Sequence, residues 1–189
     1  MKQARIPNET ELKRLLAVVA TTRYSARNRI IVMLSYYAGL RVGEIAALKV
    51  GDVYDADGNV REQIALKAAY TKGNHARVVF VNVKLMRELD KYRTSLKTTM
   101  DNDVPLISTQ KRKAFSANTL CQLFMDLYSK AGIDGASSHS GRRSFITKLA
   151  HNGVSAKVIM TLAGHKHLTT TQRYIDVNDE MMRKAVEVL

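Results

Sequence analysis

The chain has 189 residues, of which 46% are hydrophobic, so it is long enough to bury the core of one domain, which argues against wholesale disorder. Thirty lysines and arginines against 17 acidic residues give a formal net charge of +13. A folded domain this basic is typical of proteins that bind a polyanion, and nucleic acid is the leading candidate. A generally basic, solvated surface is the alternative explanation.

Cysteine content and hydropathy indicate the cellular compartment in which the protein is expected. The single cysteine, Cys121, excludes an intramolecular disulfide and a cysteine-ligated zinc site, and it fits a reducing cytoplasm. The first residues carry no apolar stretch of the kind that a secretory signal needs. The longest apolar run, residues 30–38, is shorter than the roughly 20 residues that span a membrane. We therefore expect a soluble cytoplasmic protein with no membrane partner.

The first part of the chain predicts three helices. Asn8 and Glu11 form a capping-box pattern ahead of an apolar stripe at helical spacing. A second helix, apolar on nearly all sides and therefore largely buried, begins near Ser25 and ends at Gly39. A third, short helix is predicted within residues 41–50.

Residues 52–83 change to the pattern of β-strands. Two strands are predicted at 63–70 and 77–83, and Gly73-Asn74 between them suits a tight hairpin turn. Lys72 is therefore predicted at the tip of a hairpin that projects from a small sheet.

Helical patterns return after the sheet and continue to the end. One helix is predicted at about 84–96, and a second runs from the cap Ser116 to Gly132. A third begins in the segment SSHSGRRSFITKLA and ends at Gly153. A fourth begins at the cap Ser155, and its residues Val158, Ile159 and Leu162 are expected to pack. The last helix, 179–189, carries the apolar residues Met181, Met182, Ala185, Val186 and Leu189. The fold class is therefore mainly α with a small antiparallel β-sheet (α+β), in a single domain over residues 1–189.

Several polar residues are placed awkwardly for a purely structural role. Arg41 lies at a helix start between two buried helices, and His139 and Arg142 are three apart, on one helix face. His165 precedes Tyr174 by nine residues. Each has a plain structural explanation alone, such as a helix cap for Arg41 or a half-buried core position for Tyr174. Those explanations do not account for the joint order and spacing.

Four segments, taken together, resemble the catalytic domain of the tyrosine recombinases, the phage integrase family. They are GLRVGEI (39–45), TKGNHARVVFV (71–81), HSGRRSF (139–145) and LAGHKHLTTTQRY (162–174), in the family's order. Each segment is a weak signal by itself, but the four with a tyrosine at the right distance are specific. The resemblance implies the family's helical catalytic fold and a bacterial, phage or mobile-element source.

The resemblance also implies a chemistry. Tyr174 attacks a DNA phosphodiester and forms a 3′-phosphotyrosyl link, so cleavage and rejoining need neither metal nor cofactor. Arg41 and Arg142 stabilise the charge on the phosphate oxygens, and His165 adds a further donor.

Three supporting roles are carried over in the same way. His139 assists proton transfer from the phenol, whose unperturbed pKa of about 10 makes it a poor nucleophile. Lys72 acts as the general acid for the departing 5′ oxygen, with a solvated lysine as the alternative. Glu44 orients a pocket residue by hydrogen bonding, with a surface charge paired to Lys49 or an arginine as the alternative.

Other basic residues are expected on or near the DNA face, where they give backbone affinity rather than sequence choice. They are Lys111, Arg112, Lys113, Arg143, Lys166 and Arg173. A solvated face is the alternative for some of them. Two positions depart from the family pattern: Arg143 stands where histidine is frequent, and Gly141 where leucine is common. Neither carries the core chemistry.

The implied partners are double-stranded DNA and further copies of the chain, in a tetrameric synapse, with an accessory DNA-bending protein as an optional partner. The N-terminal DNA-clamping domain of typical relatives is expected to be absent, so DNA binding by this domain alone should be weak. Residues 178–189 either dock into a neighbouring protomer or fold back on their own domain.

The indicated function is site-specific DNA recombination. A type IB topoisomerase-like nicking and religating enzyme is one alternative, and a catalytically inactive DNA-binding protein is another. A requirement for paired DNA sites separates the first alternative, and failure to form a covalent adduct supports the second.

Overall fold

The computed structural model describes residues 4–71, 75–96, 101–175 and 179–187. The elements in chain order are α1 (Glu9–Ala20), α2 (Ser25–Ala38), α3 (Val42–Ala47), α4 (Val50–Val53), β1 (Gln63–Leu66), β2 (Arg77–Phe80), α5 (Val83–Ser95), α6 (Ala117–Lys130), α7 (Ser140–His151), α8 (Ala156–Ala163), α9 (Leu168–Gln172) and α10 (Asp179–Val186). This mainly helical architecture with a two-stranded antiparallel sheet confirms the predicted fold class.

Side-chain caps fix the helix starts that the sequence predicted. The side chain of Asn8 accepts a hydrogen bond from the Glu11 amide at 2.9 Å, and the Glu11 carboxylate accepts one from the Asn8 amide at 2.9 Å. Ser116 and Ser155 cap α6 and α8 by accepting from the amide three residues ahead. Each cap satisfies a backbone donor that the first turn of a helix leaves unpaired.

Helix α2 is the centre of the larger core. Residues Ile30–Leu34 are all buried, since α1, α5 and α7 pack around it. The helix ends at Gly39, whose φ of 62° is a left-handed conformation that glycine adopts without strain. Helix α7 crosses α2 at Gly141, where a Cβ atom would lie 2.4 Å from Ser35 Oγ and 2.8 Å from Tyr36 Cδ2. Glycine therefore permits the close approach of these two helices.

The sheet consists of two short strands with one buried face. β1 pairs with β2 in a register that places Gln63 opposite Phe80 and Leu66 opposite Arg77. Val79 faces the core, whereas Val78 and Phe80 are 42% and 57% exposed.

Both strands are shorter than the sequence predicted. Residues Ala68–Tyr70 form a 3₁₀ turn after β1. Asn82 caps α5 by accepting from the Leu85 amide at 2.9 Å, so the chain leaves the sheet after Phe80. The predicted hairpin tip, Lys72 with Gly73 and Asn74, lies outside the described residues. On its two sides, the Thr71 hydroxyl accepts from the His75 amide at 3.1 Å.

A second, smaller apolar cluster joins α7 to α8. Ile146 and Ala150 of α7 pack against Ile159 and Ala163 of α8. The prediction that Val158 packs is wrong, because it is 48% exposed. The inward stripe of this short helix follows the four-residue spacing of Ile159 and Ala163, which turns Val158 outward.

Helix α10 presents apolar side chains to solvent. Met182 and Val186 are 52% and 66% exposed, and Ala185 is exposed as well. The side chain of Met181 and all of Leu189 lie outside what the structure describes. No helix among the described residues combines the length and the apolar character that crossing a membrane requires.

Candidate active site

Arg41 and Glu44 form the first part of the site, at the start of α3. The Glu44 carboxylate accepts hydrogen bonds from the Arg41 backbone amide at 2.7 Å and from its guanidinium at 2.9 Å. Glu44 is only 1% exposed, so it is an interior carboxylate and not the surface charge considered as an alternative. Its position three residues into a short helix holds the Arg41 side chain against the helix start.

Arg142 projects from α7 and is the most deeply buried of the three arginines in the site. Its guanidinium donates to the Gly39 carbonyl at 2.6 Å and to the Ala163 carbonyl at 2.5 Å, and the residue is 6% exposed. Arg142, and not Arg41, therefore binds the carbonyl at the end of α2. Arg41 instead donates to the Gly164 carbonyl at 3.3 Å, at the end of α8.

Arg77 is a site residue that the sequence analysis did not single out. From the start of β2 it donates to Glu44 at 2.8 Å and to the Leu162 carbonyl at 2.6 Å, and its side chain is 9% exposed. A Cβ atom at Gly164 would lie 2.5 Å from Arg77 Cδ, so glycine makes room for the arginine. The available signal is strand alternation, because Arg77 is two residues from the buried Val79 and shares its face.

The charges of this cluster do not balance. Burial opposes ionisation of Glu44, but the hydrogen bond and charge of Arg77, together with Arg41, lower the pKa of the carboxyl below its ordinary value. Burial and the neighbouring guanidiniums of Arg41 and Arg77 lower the pKa of Arg142 to about 9, which leaves it charged at neutral pH. Among the described residues, Glu44 thus pairs with the guanidiniums of Arg41 and Arg77, and its charge also acts on the third, Arg142. The surplus of positive charge makes the cluster an anion site.

His165 follows the end of α8 and lies beside this cluster. Its Nδ1 is 2.8 Å from the hydroxyl of Thr171, a completely buried residue of α9. Burial and the charges of Arg142, Arg41 and Arg77 lower the pKa of His165 to about 4. The imidazole is therefore neutral at physiological pH.

Tyr174 lies two residues beyond the end of α9 and stacks on His165. The two rings stack with centroids 6.0 Å apart and planes 21° apart. The Arg143 guanidinium lies 5.3 Å from the Tyr174 ring centroid on a cation–π contact. The tyrosine is partly buried against the small α7–α8 cluster. The fold therefore places a phenol next to a neutral histidine at the edge of the guanidinium cluster.

An open cleft of about 630 Å³ borders part of this cluster. Arg41, Arg77 and His165 line it, together with Lys166. Thr71 and His75, the described residues on either side of the predicted hairpin tip, line the cleft as well.

The remaining predicted residues are distributed unevenly. His139 is the exposed N-cap residue of α7. Lys111, Arg112 and Lys113 are exposed in a turn before α6 and do not occur among the described residues that line the cleft. Arg173 is exposed, and Arg143 is partly buried. The structure therefore brings Arg41, Glu44, Arg142, His165 and Tyr174 together, whereas the other predicted DNA contacts, Lys166 apart, lie outside the cleft.

The fold matches solved structures of recombinases. The crystal structure of XerA recombinase superposes with a TM-score of 0.76 at 28% identity, over 97% of this chain and 65% of that chain. The Tn1549 transposon integrase in complex with a circular intermediate DNA superposes with a TM-score of 0.78 over 100% of this chain and 67% of that one. Its identity of 16% shows a shared fold alone. The fold is that of a tyrosine recombinase catalytic domain.

Sequence comparison identifies the family. Residues 7–181 match the phage integrase family. The chain is 37% identical over 179 residues to tyrosine recombinase XerA of Thermococcus kodakarensis, covering 94% of this chain and 60% of that protein. It is 33% identical over 183 residues to tyrosine recombinase XerA of Pyrococcus horikoshii, covering 95% and 59%. This chain belongs to the phage integrase family, which confirms the predicted resemblance, and it spans about 60% of the length of these curated relatives.

Proposed function

We propose that this protein cleaves and rejoins double-stranded DNA at specific sites through a covalent 3′-phosphotyrosyl link on Tyr174. The observation that carries the proposal is the stacking of Tyr174 on His165 beside three guanidiniums, of which Arg41 and Arg77 share the Glu44 carboxylate and Arg142 is held by backbone carbonyls. A phosphodiester in the cleft would meet the guanidiniums of Arg41 and Arg77 and the ring of His165, on which Tyr174 stacks. The named recombinase relatives support the same reaction class.

The arginine pair would hold the phosphate and stabilise its transition state. In-line attack on phosphorus concentrates negative charge on the non-bridging oxygens, and fixed donors aimed at those oxygens lower the barrier. Arg142 is held by two backbone carbonyls and Arg41 by Glu44, so neither guanidinium needs to reorganise when the charge develops. Guanidinium groups stay protonated throughout and offer forked donors.

The covalent step exchanges one phosphoester for another. The Tyr174 oxygen forms a bond to phosphorus as the bond from phosphorus to the 5′ oxygen breaks. The phenol proton passes to a base, for which His139 at the start of α7 is the proposed group, and the 5′ oxygen takes a proton from Lys72, the proposed general acid. The phosphotyrosyl ester conserves the bond energy, so a 5′ hydroxyl reverses the reaction without metal or nucleotide.

The partners follow from the charge and from α10. We propose double-stranded DNA as the substrate, bound on a face that includes Lys166 and Arg173. Self-association on DNA into a tetramer, through docking of the exposed apolar side chains of Met182, Ala185 and Val186 into a neighbouring protomer, is part of the proposal. An accessory DNA-bending protein is an optional component, and the reducing cytoplasm is the compartment. None of the comparisons favours a topoisomerase or an inactive binding protein.

A covalent-trapping assay tests the proposed reaction. The protein is incubated in EDTA with nicked suicide substrates made from DNA that flanks its own gene, and protein–DNA bands that resist denaturation are counted. Wild type should form the band, and Tyr174→Phe should lose it completely, because a benzene ring carries no nucleophile. Tyr24→Phe is the matched control, since the contacts of Tyr24 with Arg23 and Arg27 use the ring face and survive loss of the hydroxyl.

Two results would contradict the proposal. One is an adduct that persists in Tyr174→Phe, which would place the nucleophile elsewhere. The other is the absence of any adduct under conditions where a gel shift shows that the same DNA is bound. If no binding is seen either, the assay is repeated with a DNA-clamping domain fused at the N-terminus, which separates weak binding from missing chemistry.

A further inference from the structure

Thr171 differs from the other two threonines of its run. It is completely buried in α9, whereas Thr169 and Thr170 are exposed. A buried hydroxyl without a partner costs about 1–3 kcal/mol, so such groups are hydrogen-bonded in native structures. The partner here is Nδ1 of His165, at 2.8 Å. The contact thus joins a buried, uncharged residue to a ring at the edge of the anion site.

The direction of this hydrogen bond determines which nitrogen of His165 carries the proton. A neutral imidazole has one N–H, and a threonine hydroxyl has one hydrogen to donate. If Nδ1 carried the proton, the Thr171 hydroxyl would accept and its own hydrogen would need another acceptor. A helical threonine commonly uses the carbonyl four residues before it, as Thr161 does with Lys157 at 3.0 Å. Among the described contacts, the Thr171 hydroxyl instead bonds only to the ring nitrogen. Donation to a bare Nδ1 satisfies both groups.

The surrounding charges favour the opposite arrangement. Arg142, Arg41 and Arg77 lie near the ring and are all positive. Because these cations are positive, they favour the tautomer in which Nε2 presents a lone pair over the tautomer in which Nε2 carries the proton. A lone pair on the cleft side of the ring would repel a phosphate oxygen. To present a donor before the anion arrives, His165 therefore needs a neighbour that favours the proton on Nε2.

We propose that Thr171 is a positioning residue that holds His165 in the tautomer protonated at Nε2, so that the ring presents a donor to an anion in the cleft. The Thr171 hydroxyl occupies Nδ1, and Tyr174 covers one ring face. Nε2 is left as the nitrogen available to the cleft that His165 lines. The identification of the anion as a scissile phosphate rests on the proposed function, whereas the tautomer does not.

Nitrogen NMR of the DNA-free protein tests the tautomer directly. Two-bond ¹H–¹⁵N spectra at neutral pH distinguish a protonated from a bare ring nitrogen by chemical shift, and loss of one set of signals in His165→Asn assigns the ring among the five histidines. Wild type and Thr171→Ser should show Nε2 protonated. Thr171→Val, which is nearly isosteric but has no hydroxyl, should show a mixture or protonation at Nδ1. The exposed neighbour variant Thr170→Val should match wild type.

A second arm measures how the tautomer affects the reaction. The rate of adduct formation should fall roughly 10-fold or more in Thr171→Val, because part of the population no longer offers the donor, and it should stay close to wild type in Thr171→Ser. DNA affinity and the thermal melting curve check that the variants are folded. A merely structural role for Thr171 would change melting without changing the ring shifts.

The two proposals fail in different ways. Protonation at Nδ1 in wild type, or at Nε2 in Thr171→Val, would overturn the role of Thr171 whatever the enzyme does with DNA. A wild-type protein that shows the Nε2 tautomer but forms no adduct on bound DNA would instead overturn the proposed reaction and leave the tautomer assignment standing.

Discussion

The two sides of the site are held by different means. Around Arg142, the guanidinium is almost completely buried, bonded at both terminal nitrogens to backbone carbonyls, and carried by a helix that packs tightly on α2. Around Tyr174, the ring is partly exposed, rests on a small cluster of four buried residues, stacks on His165 and has the Arg143 guanidinium over it. The Arg142 side is therefore packed against the larger core, whereas the Tyr174 side has few buried neighbours.

In the proposed reaction, this difference separates the groups that would bind the phosphate from the group that would form the new bond to phosphorus. Donors that stabilise a transition state are most effective when they are fixed in advance, which suits the Arg142 side. A nucleophile must approach phosphorus, transfer and later depart, and few buried apolar contacts make local rearrangement inexpensive. In the proposed reaction, the asymmetry therefore gives rigidity to the groups that would bind the phosphate and freedom to the tyrosine.

The largest expected effect is on the Arg142 side. Arg142→Ala removes two hydrogen bonds from a charged donor and leaves the carbonyls of Gly39 and Ala163 unpaired, so the free energy of unfolding should fall by about 3 kcal/mol. Arg143→Ala removes a cation–π contact with Tyr174 and should cost about 1 kcal/mol. Urea unfolding monitored by circular dichroism measures both. Equal losses for the two variants would show that the sides are held equally firmly.

A smaller effect is expected at the crossing of α2 and α7. Gly141→Ala places a methyl group 2.4 Å from Ser35 Oγ, and the resulting shift of α7 should cost about 1–2 kcal/mol and slow adduct formation, although Gly141 itself takes no part in the chemistry. Gly43→Ala is the matched control: its Cβ would have no neighbour within 4 Å in α3, and it should stabilise the protein by up to about 1 kcal/mol. Adding Ser35→Gly should restore part of the loss. A Gly141→Ala variant as stable as wild type would refute the close approach.

The last effect concerns pH on the Tyr174 side, and it develops gradually as the pH falls. The pKa of His165 falls from an ordinary 6.5 to about 4 in the folded protein, so between these values the unfolded chain binds more protons and stability must decrease as pH falls. The lowered pKa of Glu44 adds its contribution only below its ordinary value of 4.5. Urea midpoints measured stepwise from neutral pH to about pH 5 should fall more steeply for wild type than for His165→Asn. Parallel curves would show that His165 titrates normally.

Local chemistry explains which parts of the fold were predictable. The caps at Asn8, Ser116 and Ser155 and the terminator Gly39 are decided by neighbours within four residues, so the sequence pattern predicts them correctly. The burial of α2 follows from an apolar run with no polar face. Motif spacing likewise identified the residues that the fold brings together around the cleft.

The residues that the sequence analysis missed depend on distant partners. Arg77 is defined by Glu44, 33 positions away, and by the Leu162 carbonyl, 85 positions away. The sequence does not distinguish Thr171 from the two threonines before it, and only the packing of α9 shows that Thr171 alone is buried. Val158 was wrongly expected to pack because a helix of eight residues offers too short an apolar stripe to fix its inward face.

The carbonyls at the ends of α2 and α8 also determine how the site around Arg142 responds to ionic strength. Arg142 is anchored by backbone groups at two helix C-termini, which carry partial negative charge, and not by a mobile carboxylate. Short hydrogen bonds between buried groups are screened little by dissolved ions, whereas attraction between exposed lysines and DNA weakens steeply with salt. Salt that weakens DNA binding should therefore leave the hydrogen bonds of Arg142 intact, so that in the proposed reaction the DNA can dissociate while the arginine stays in place.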